Sequence, residues 1–228
     1  MANEPIHHEY TICAHGTTTI NALYTNLSAS ADAWVDKAEA LLAASKVKIV
    51  GADVEFTPRG YRQKAAVVQL CVGQECLVYH VSCLAEDISV KFKKFLLNSF
   101  YKFADFDITE DTKKLARSHL FISNHIDIQR IWRDPDLKKV GRDDKLNGKQ
   151  GMKDVAGILI DISYYEMNGG MTNNDHKLWG KAPLSQKHMD YVGKDGFVAY
   201  ELFRRLDFYE RGRFKVMKRS QKKRCRRW

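Results

Sequence analysis

The sequence predicts an α/β fold: one mixed sheet, antiparallel along one side and parallel along the other, flanked by helices. Three observations predict it. Between Val47 and Val81, turn residues divide a β-rich stretch into three strand-length runs. Beyond it, strand-like and helix-like runs alternate, which implies right-handed crossovers and parallel pairing. A chain of 228 residues, 44% hydrophobic and 29% charged, has ordinary globular composition and enough length for one sizeable core.

The elements follow in order. Tyr10 to Tyr24 alternates, is rich in β-branched residues and places Gly16 for a turn, so it reads as a hairpin. Ser28 or Ser30 caps a helix running to about Ser45, with Trp34, Val35, Ala38, Leu41 and Leu42 on one face. Val47 to Phe56 is a strand. The turn-like Thr57-Pro58-Arg59-Gly60 leads into Ala65 to Val72, and Gly73-Gln74 into Cys76 to Val81, which together make a three-stranded antiparallel meander. Asp87 caps a helix with Val90, Phe92, Phe95 and Leu96 inward. Phe100 to Phe106 is a short strand, Thr109 to His119 a helix and His125 to Ile128 another strand. Arg130 to Gly151, charged and glycine-bearing, reads as a loop, and Met152 to Tyr164 as a helix. Tyr165 to Lys181 is polar and irregular, and Ser185 opens a long last helix to about Tyr209. The expected organisation is one domain over residues 1–210 and a basic tail over 211–228, with no internal repeat.

Composition excludes some classes. No apolar run approaches the ~20 residues needed to span a bilayer, so no membrane role is expected. Met1 to Tyr10 lacks the basic-then-apolar order of a signal peptide. Cys71 and Cys76 lie in apolar strand-like runs and are expected as buried thiols, and Cys13, Cys71, Cys76, Cys83 and Cys225 lack zinc-site spacing. The expectation is an intracellular protein with reduced cysteines. Of the net charge of +9, ten basic residues with no acid among them lie from Arg211 onward, leaving 27 basic against 28 acidic residues before them. A near-neutral body with a polycationic arm suits a polyanion partner or a nuclear-targeting signal, placing the protein in cytoplasm or nucleus.

The sharpest chemical signal is the strand Lys48-Ile49-Val50-Gly51-Ala52-Asp53-Val54-Glu55-Phe56. Alternation points Asp53 and Glu55 the same way, while Val50, Ala52, Val54 and Phe56 point into apolar packing. Two adjacent carboxylates on an apolar strand repel each other and resist burial, and a hard Mg²⁺ or Mn²⁺ ion resolves both problems. A solvent-exposed sheet face is the other reading. In the last helix Tyr191 and Asp195, four apart, project from one face. Between these motifs, the run from Phe103 to Asp111 leaves a strand and enters a helix, at the sheet edge where open α/β sheets place ligands. Ordinary helix capping would explain Asp111 equally well.

In order and context, Asp53-x-Glu55, Asp111 and Tyr191-x-x-x-Asp195 resemble the DEDD exonuclease superfamily, tyrosine subtype. Val67-Val68-Gln69-Leu70-Cys71-Val72-Gly73 resembles the strand after the first motif in Werner-type exonucleases and ribonuclease D, and the stretch from Leu184 to Leu202 their third-motif helix. Asp190, not histidine, stands five before Asp195, so the histidine subtype does not fit. Within the family the chain is most similar to the short plant Werner-type proteins, which include the RISC-interacting clearing exoribonucleases. The resemblance implies a ribonuclease H-like fold, residues 1–46 as a family-specific extension, and removal of nucleotides from the 3′ end of single-stranded RNA or DNA, with RNA favoured. It implies a homo-hexameric ring and an association with a small-RNA silencing complex.

By the same resemblance Asp53, Glu55, Asp111 and Asp195 bind two divalent ions, Mg²⁺ or Mn²⁺, and Tyr191 orients the attacking water. Phe56, Tyr61 and Trp179 are candidate base-stacking aromatics, Arg59, Arg62 and Lys64 candidate phosphate contacts, and His188 a candidate cleft residue; packing or solvated loops explain each of them too. The chain departs from the family at Asp105, at Asp107 and at Gly193-Lys194 beside the last acid. Asp105 and Asp107 are rival ligands to Asp111, and Lys194 would weaken metal binding if it faced the acids. Two other readings stay open: a DNA exonuclease of Werner type, and a catalytically silent nucleic-acid-binding or assembly subunit.

Overall fold

A computed structural model describes residues 3–58, 63–134, 150–167 and 170–224, with side chains of the last helix as far as Leu206. Seven strands form one sheet in the order β1-β2-β5-β4-β3-β6-β7. β1 (His7–His15) and β2 (Thr18–Thr25) are the expected hairpin, turning at Gly16, whose φ of 50° suits a residue without a Cβ. β3 (Ile49–Phe56), β4 (Ala65–Val72) and β5 (Glu75–Tyr79) are the antiparallel meander. β6 (Lys102–Asp105) and β7 (His125–Asp127) extend it in parallel from β3. This is the ribonuclease H-like mixed sheet. One pairing was not legible: β2 runs parallel to β5, from Asn21 opposite Glu75 to Thr25 opposite Tyr79, so the N-terminal hairpin continues the same sheet.

β4 is buried at every position, which explains why Ala-Ala-Val-Val-Gln-Leu-Cys-Val shows no polar alternation: helices cover both faces. α1 (Ser28–Ala44) and α2 (Val90–Leu96) cover one face, packing Trp34, Val35, Leu42, Phe92 and Phe95 against Val50, Ala52, Val54 and Leu70. The start of α6 (Gln186–Arg224) covers the other, where Val198, Ala199 and Leu202 meet Ile49 and Ala104. α4 (Ile128–Arg133) and α5 (Met152–Leu159) join that layer, and α3 (Ile108–Arg117) lies at the parallel edge.

Two glycines let α6 come close to the sheet. A Cβ on Gly51 of β3 would fall 2.0 Å from the Gly196 carbonyl oxygen and 2.5 Å from the Tyr200 nitrogen. One on Gly193 would fall 2.2 Å from the Ile12 Cδ1 of β1. The glycine before Lys194, a departure from the family pattern, is thus the room that the N-terminal hairpin needs.

Several local expectations are corrected. α1 starts after Leu27 with no side-chain cap; the Ser28 hydroxyl donates instead to the Asp87 carbonyl, and Ser30 meets His7. Leu41, placed on the inner face, is 40% exposed. Ser89, not Asp87, caps α2 by accepting from the Phe92 N–H, and that later start turns Val90 outward. The supposed loop from Arg130 begins in α4, whose cap is Asp127; residues 135–149 lie outside the described part. The helix expected from Met152 to Tyr164 breaks after Leu159, where Asp161 caps a separate 3-10 turn (Ile162–Glu166). The last helix continues past Tyr209 to Arg224. Cys71 and Cys76, expected as thiols, form a disulfide, because the tight β4–β5 turn sets them directly opposite each other. None of the described helices is long and apolar enough to cross a membrane.

Candidate active site

Four elements bring five carboxylates together. β3 supplies Asp53 and Glu55 on one face, as alternation requires. The first turn of α3 supplies Asp111, the end of β6 supplies Asp105, and α6 supplies Asp195 one turn after Tyr191. Carboxylate oxygens of Asp53, Glu55 and Asp195 lie within 4.8 Å of one another, and so do those of Asp53, Asp105 and Asp111. Asp53 belongs to both groups. The four acids expected from the sequence therefore converge, and Asp105 stands with Asp111 rather than in its place. Asp107, the other rival, starts α3 with a left-handed φ of 68° and is in neither group.

Burial dominates the electrostatics. It holds Asp53 well above the usual carboxylate range, and the charges of Asp195, Asp105, Glu55 and Asp111 push the same way. Glu55 is raised by burial, then by Asp195 and Asp111, with Lys114 opposing. Burial and the neighbouring Asp105 lift Asp111 to about 8. Burial lifts Asp105 to about 7 against the opposing Phe106 N–H. Asp195 rises to about 8 through burial and the charge of Asp105, only partly offset by Lys194. Asp195, 1% exposed, has an Oδ1 with no hydrogen-bond partner among the described residues. Buried carboxylates in this state call for a cation. An ion with Mg–O distances of ~2.1 Å spans ~4.2 Å between opposite ligands, so either group needs only a small inward adjustment to hold one.

Residues 29–207 match the family model described as 3′-5′ exonuclease. The chain belongs to that exonuclease family. Its domain is of the DEDD type, and solved structures share the fold. Escherichia coli RNase D superposes with a TM-score of 0.60 at 16% identity, over 82% of this chain and 45% of that one. The Aedes aegypti Nibbler EXO domain gives 0.56 at 13% identity, over 82% and 87%. Brucella melitensis NrnC bound to pGG gives 0.54 at 18% identity, over 75% and 78%. This exonuclease chain thus spans less than half of RNase D but most of the Nibbler domain. No curated protein matches.

The remaining candidates of the exonuclease divide. Tyr191 is half-buried beside the acids, its ring 5.6 Å from His176 and 5.9 Å from Trp179. The charge of Asp195, then burial, raises its hydroxyl far above the ordinary tyrosine value, so it stays protonated. Trp179 is no stacking platform: it is 1% exposed, packed against His188 at 4.6 Å. His188 is 4% exposed, paired with the Ser185 hydroxyl at 2.6 Å and the Asp175 carbonyl at 3.1 Å, and closes the start of α6 instead of facing a cleft. Phe56 is half-buried with the Lys114 ammonium 3.4 Å from its ring centroid. Lys64 is exposed and its backbone pairs with Thr57. Arg59, Tyr61 and Arg62 lie outside the described residues.

Sequence reasoning missed Lys114 and His125. Lys114 follows Asp111 by three on α3, the spacing that shares a helix face, and that signal was available. Lys194 lines a cavity of about 500 Å³ with Tyr191, Cys13, His15 and Tyr164, on the flank of α6 toward the hairpin tip.

Proposed function

We propose that the chain is a metal-dependent exonuclease of the tyrosine subtype that removes nucleotides from the 3′ end of single-stranded nucleic acid, RNA by preference. The observation that carries the proposal is the convergence of Asp53 with Glu55 and Asp195 on one side and with Asp111 on the other. When bound, two divalent ions supply an activated water and charge stabilisation at the scissile phosphate. Asp53 would be shared between the two ions, Glu55 and Asp195 would help to hold one, and Asp111 the other. Tyr191, held protonated by Asp195, donates its hydroxyl hydrogen bond to position the incoming water and does not act as a base. Lys114, beside Glu55 and Asp111, is placed to meet substrate phosphate over the Phe56 ring.

RNA preference is supported by the description of the RNase D neighbour as an exoribonuclease involved in structured RNA processing. The plant subgroup resembled by the sequence extends the reading to a hexameric ring acting on small-RNA-guided cleavage fragments, and light scattering tests the ring. The decisive assay uses 5′-labelled single-stranded RNA and DNA with Mg²⁺, Mn²⁺ or EDTA. A metal-dependent ladder from the 3′ end, stronger on RNA, is expected. A stronger ladder on DNA overturns the RNA preference, and binding without a ladder leaves the silent-subunit reading in its place.

A further inference from the structure

The fifth carboxylate has no part in the four-acid pattern, yet it is among the most deeply placed. Asp105 is 1% exposed at the end of β6. Its Oδ1 accepts the Phe106 N–H at 2.6 Å, and its Oδ2 lies 3.2 Å from His125 Nε2 on β7. The His125 side chain is itself only 9% exposed. A carboxylate oxygen only accepts, so in this contact His125 Nε2–H is the donor and Asp105 the acceptor. Both oxygens of the Asp105 carboxylate are therefore held in place, each with a lone pair to spare, and one of them lies within 4.8 Å of oxygens from both Asp53 and Asp111. Across the shared Asp53, the Asp195 Oδ1 is buried and has no partner among the described residues, a second sign that the cluster is arranged around cations.

We infer that Asp105, oriented by His125, is a third protein ligand of the second divalent ion, joining Asp53 and Asp111. The inference rests on the two-ion reading above. Its consequence is specific. An ion held by Asp53 and Asp111 alone has two protein carboxylates and leaves the rest of its shell to water and substrate phosphate, so it is held weakly until substrate arrives. With Asp105 added, the second ion binds before nucleic acid arrives. His125 acts as a positioning residue in the way that outer hydrogen bonds orient metal-binding carboxylates.

The test is a Mn²⁺ titration of the full chain without nucleic acid, read by electron paramagnetic resonance. Wild type is expected to take up two ions. Asp105→Asn, nearly the same shape, is expected to weaken one of them roughly tenfold or more and leave the other unchanged, with His125→Gln weakening the same ion less. Thermal melting in EDTA checks that both variants fold, and Asp105→Asn is expected to melt no lower than wild type because it removes a buried like charge. Two ions bound with unchanged affinities in Asp105→Asn, or only one ion in wild type, would overturn the inference while leaving the exonuclease reading standing. No Mn²⁺ uptake by wild type would instead overturn the two-ion reading itself.

Discussion

Two buried polar clusters lie on the same sheet and are satisfied to opposite degrees. Around β2 and the end of β5, polar atoms find partners. The Tyr24 hydroxyl accepts from the Leu184 N–H and donates to His80 Nδ1, each at 2.9 Å, while His80 Nε2 reaches the Trp179 carbonyl at 2.9 Å. The Asn26 amide accepts from the Ile6 N–H at 2.7 Å and donates to the carbonyls of Glu4 and Cys83 at 2.8 and 2.9 Å. At the other end of the sheet five acids crowd together, and the Asp195 Oδ1 and both Gln69 amide atoms lack partners among the described residues. Gln69 stands opposite Asp53 in the β3–β4 ladder, so its unpaired amide belongs to the same neighbourhood. The first cluster ties the chain together without help. The second is costly as it stands, and on the proposed function a bound cation would offset that cost.

That contrast can be broken by substitution, and the largest effect is expected at Asp53. Asp53→Ala removes the one carboxylate that belongs to both acid groups, and so to both proposed ion positions. The loss of several kcal/mol of charge stabilisation is on the order of a thousandfold in cleavage rate. Far-ultraviolet circular dichroism should be unchanged, and cleavage near the wild-type rate would place the chemistry elsewhere. Gly51→Ala comes next. Its Cβ would meet backbone of α6, and the helix must lift, costing roughly 1–3 kcal/mol or more in urea unfolding and separating Asp195 from Asp53. A variant as stable and as active as wild type would show that α6 does not set the site. In the satisfied cluster, Asn26→Ala strands the Ile6 N–H and two carbonyls; about 1–3 kcal/mol of stability is expected to go, with kcat per folded molecule preserved.

The two clusters should respond to pH with opposite sign. His80, buried and neutral, has its pKa lowered from 6.5 to about 4 by burial. The unfolded chain then binds the extra proton first, so this contribution is complete above 6.5 and is lost as pH falls toward 4. Asp111 and Asp195 are raised from 3.8 to about 8. In metal-free protein the folded state keeps protons that the unfolded state has released, so their contribution falls as pH rises from about 4 toward 8. Melting in EDTA should therefore decline across that range, and Mg²⁺ should raise the melting temperature most at its upper end. A metal benefit independent of pH would contradict the carboxylate assignment. The smallest expected effect is a flattened acid limb in His80→Gln, read from melting temperature between pH 4 and 6.5 against wild type.

How much of this was legible depends on the distance over which each signal acts. Alternation put Asp53 and Glu55 on one face, helical spacing put Tyr191 with Asp195, and strand-helix order gave the meander and the parallel edge. These rules act within one element or between neighbours. The parallel union of β2 with β5 joins segments some fifty residues apart, and no local pattern announces it. Ser28 looked like a cap, but tertiary packing gave its hydroxyl to Asp87 and Tyr79. Asp105 is the most instructive case. Alternation sets it on the face of Phe103, which lies in the core under α1 and α2, away from Asp53. It reaches the acids because the β3–β6 ladder has already ended at Gly51 opposite Ala104, and beyond that point the chain bends into α3. Trp179 and His188 failed as ligand candidates for the converse reason: Trp179 lies in a loop without periodicity, and nothing local showed that this loop would fold over His188 on α6 and enclose both rings.

The parallel β2–β5 seam also governs how the chain tolerates shortening. β5 has β4 on one side and the hairpin on the other, and Gly193 is fitted to Ile12 of that hairpin. A chain trimmed through Thr25 keeps all five clustered acids but bares the β5 amides and carbonyls along an apolar edge, a ready template for a strand from another molecule. Such a fragment is expected to self-associate before it loses its chemistry, so the first two strands act as the sheet's guard against adhesion.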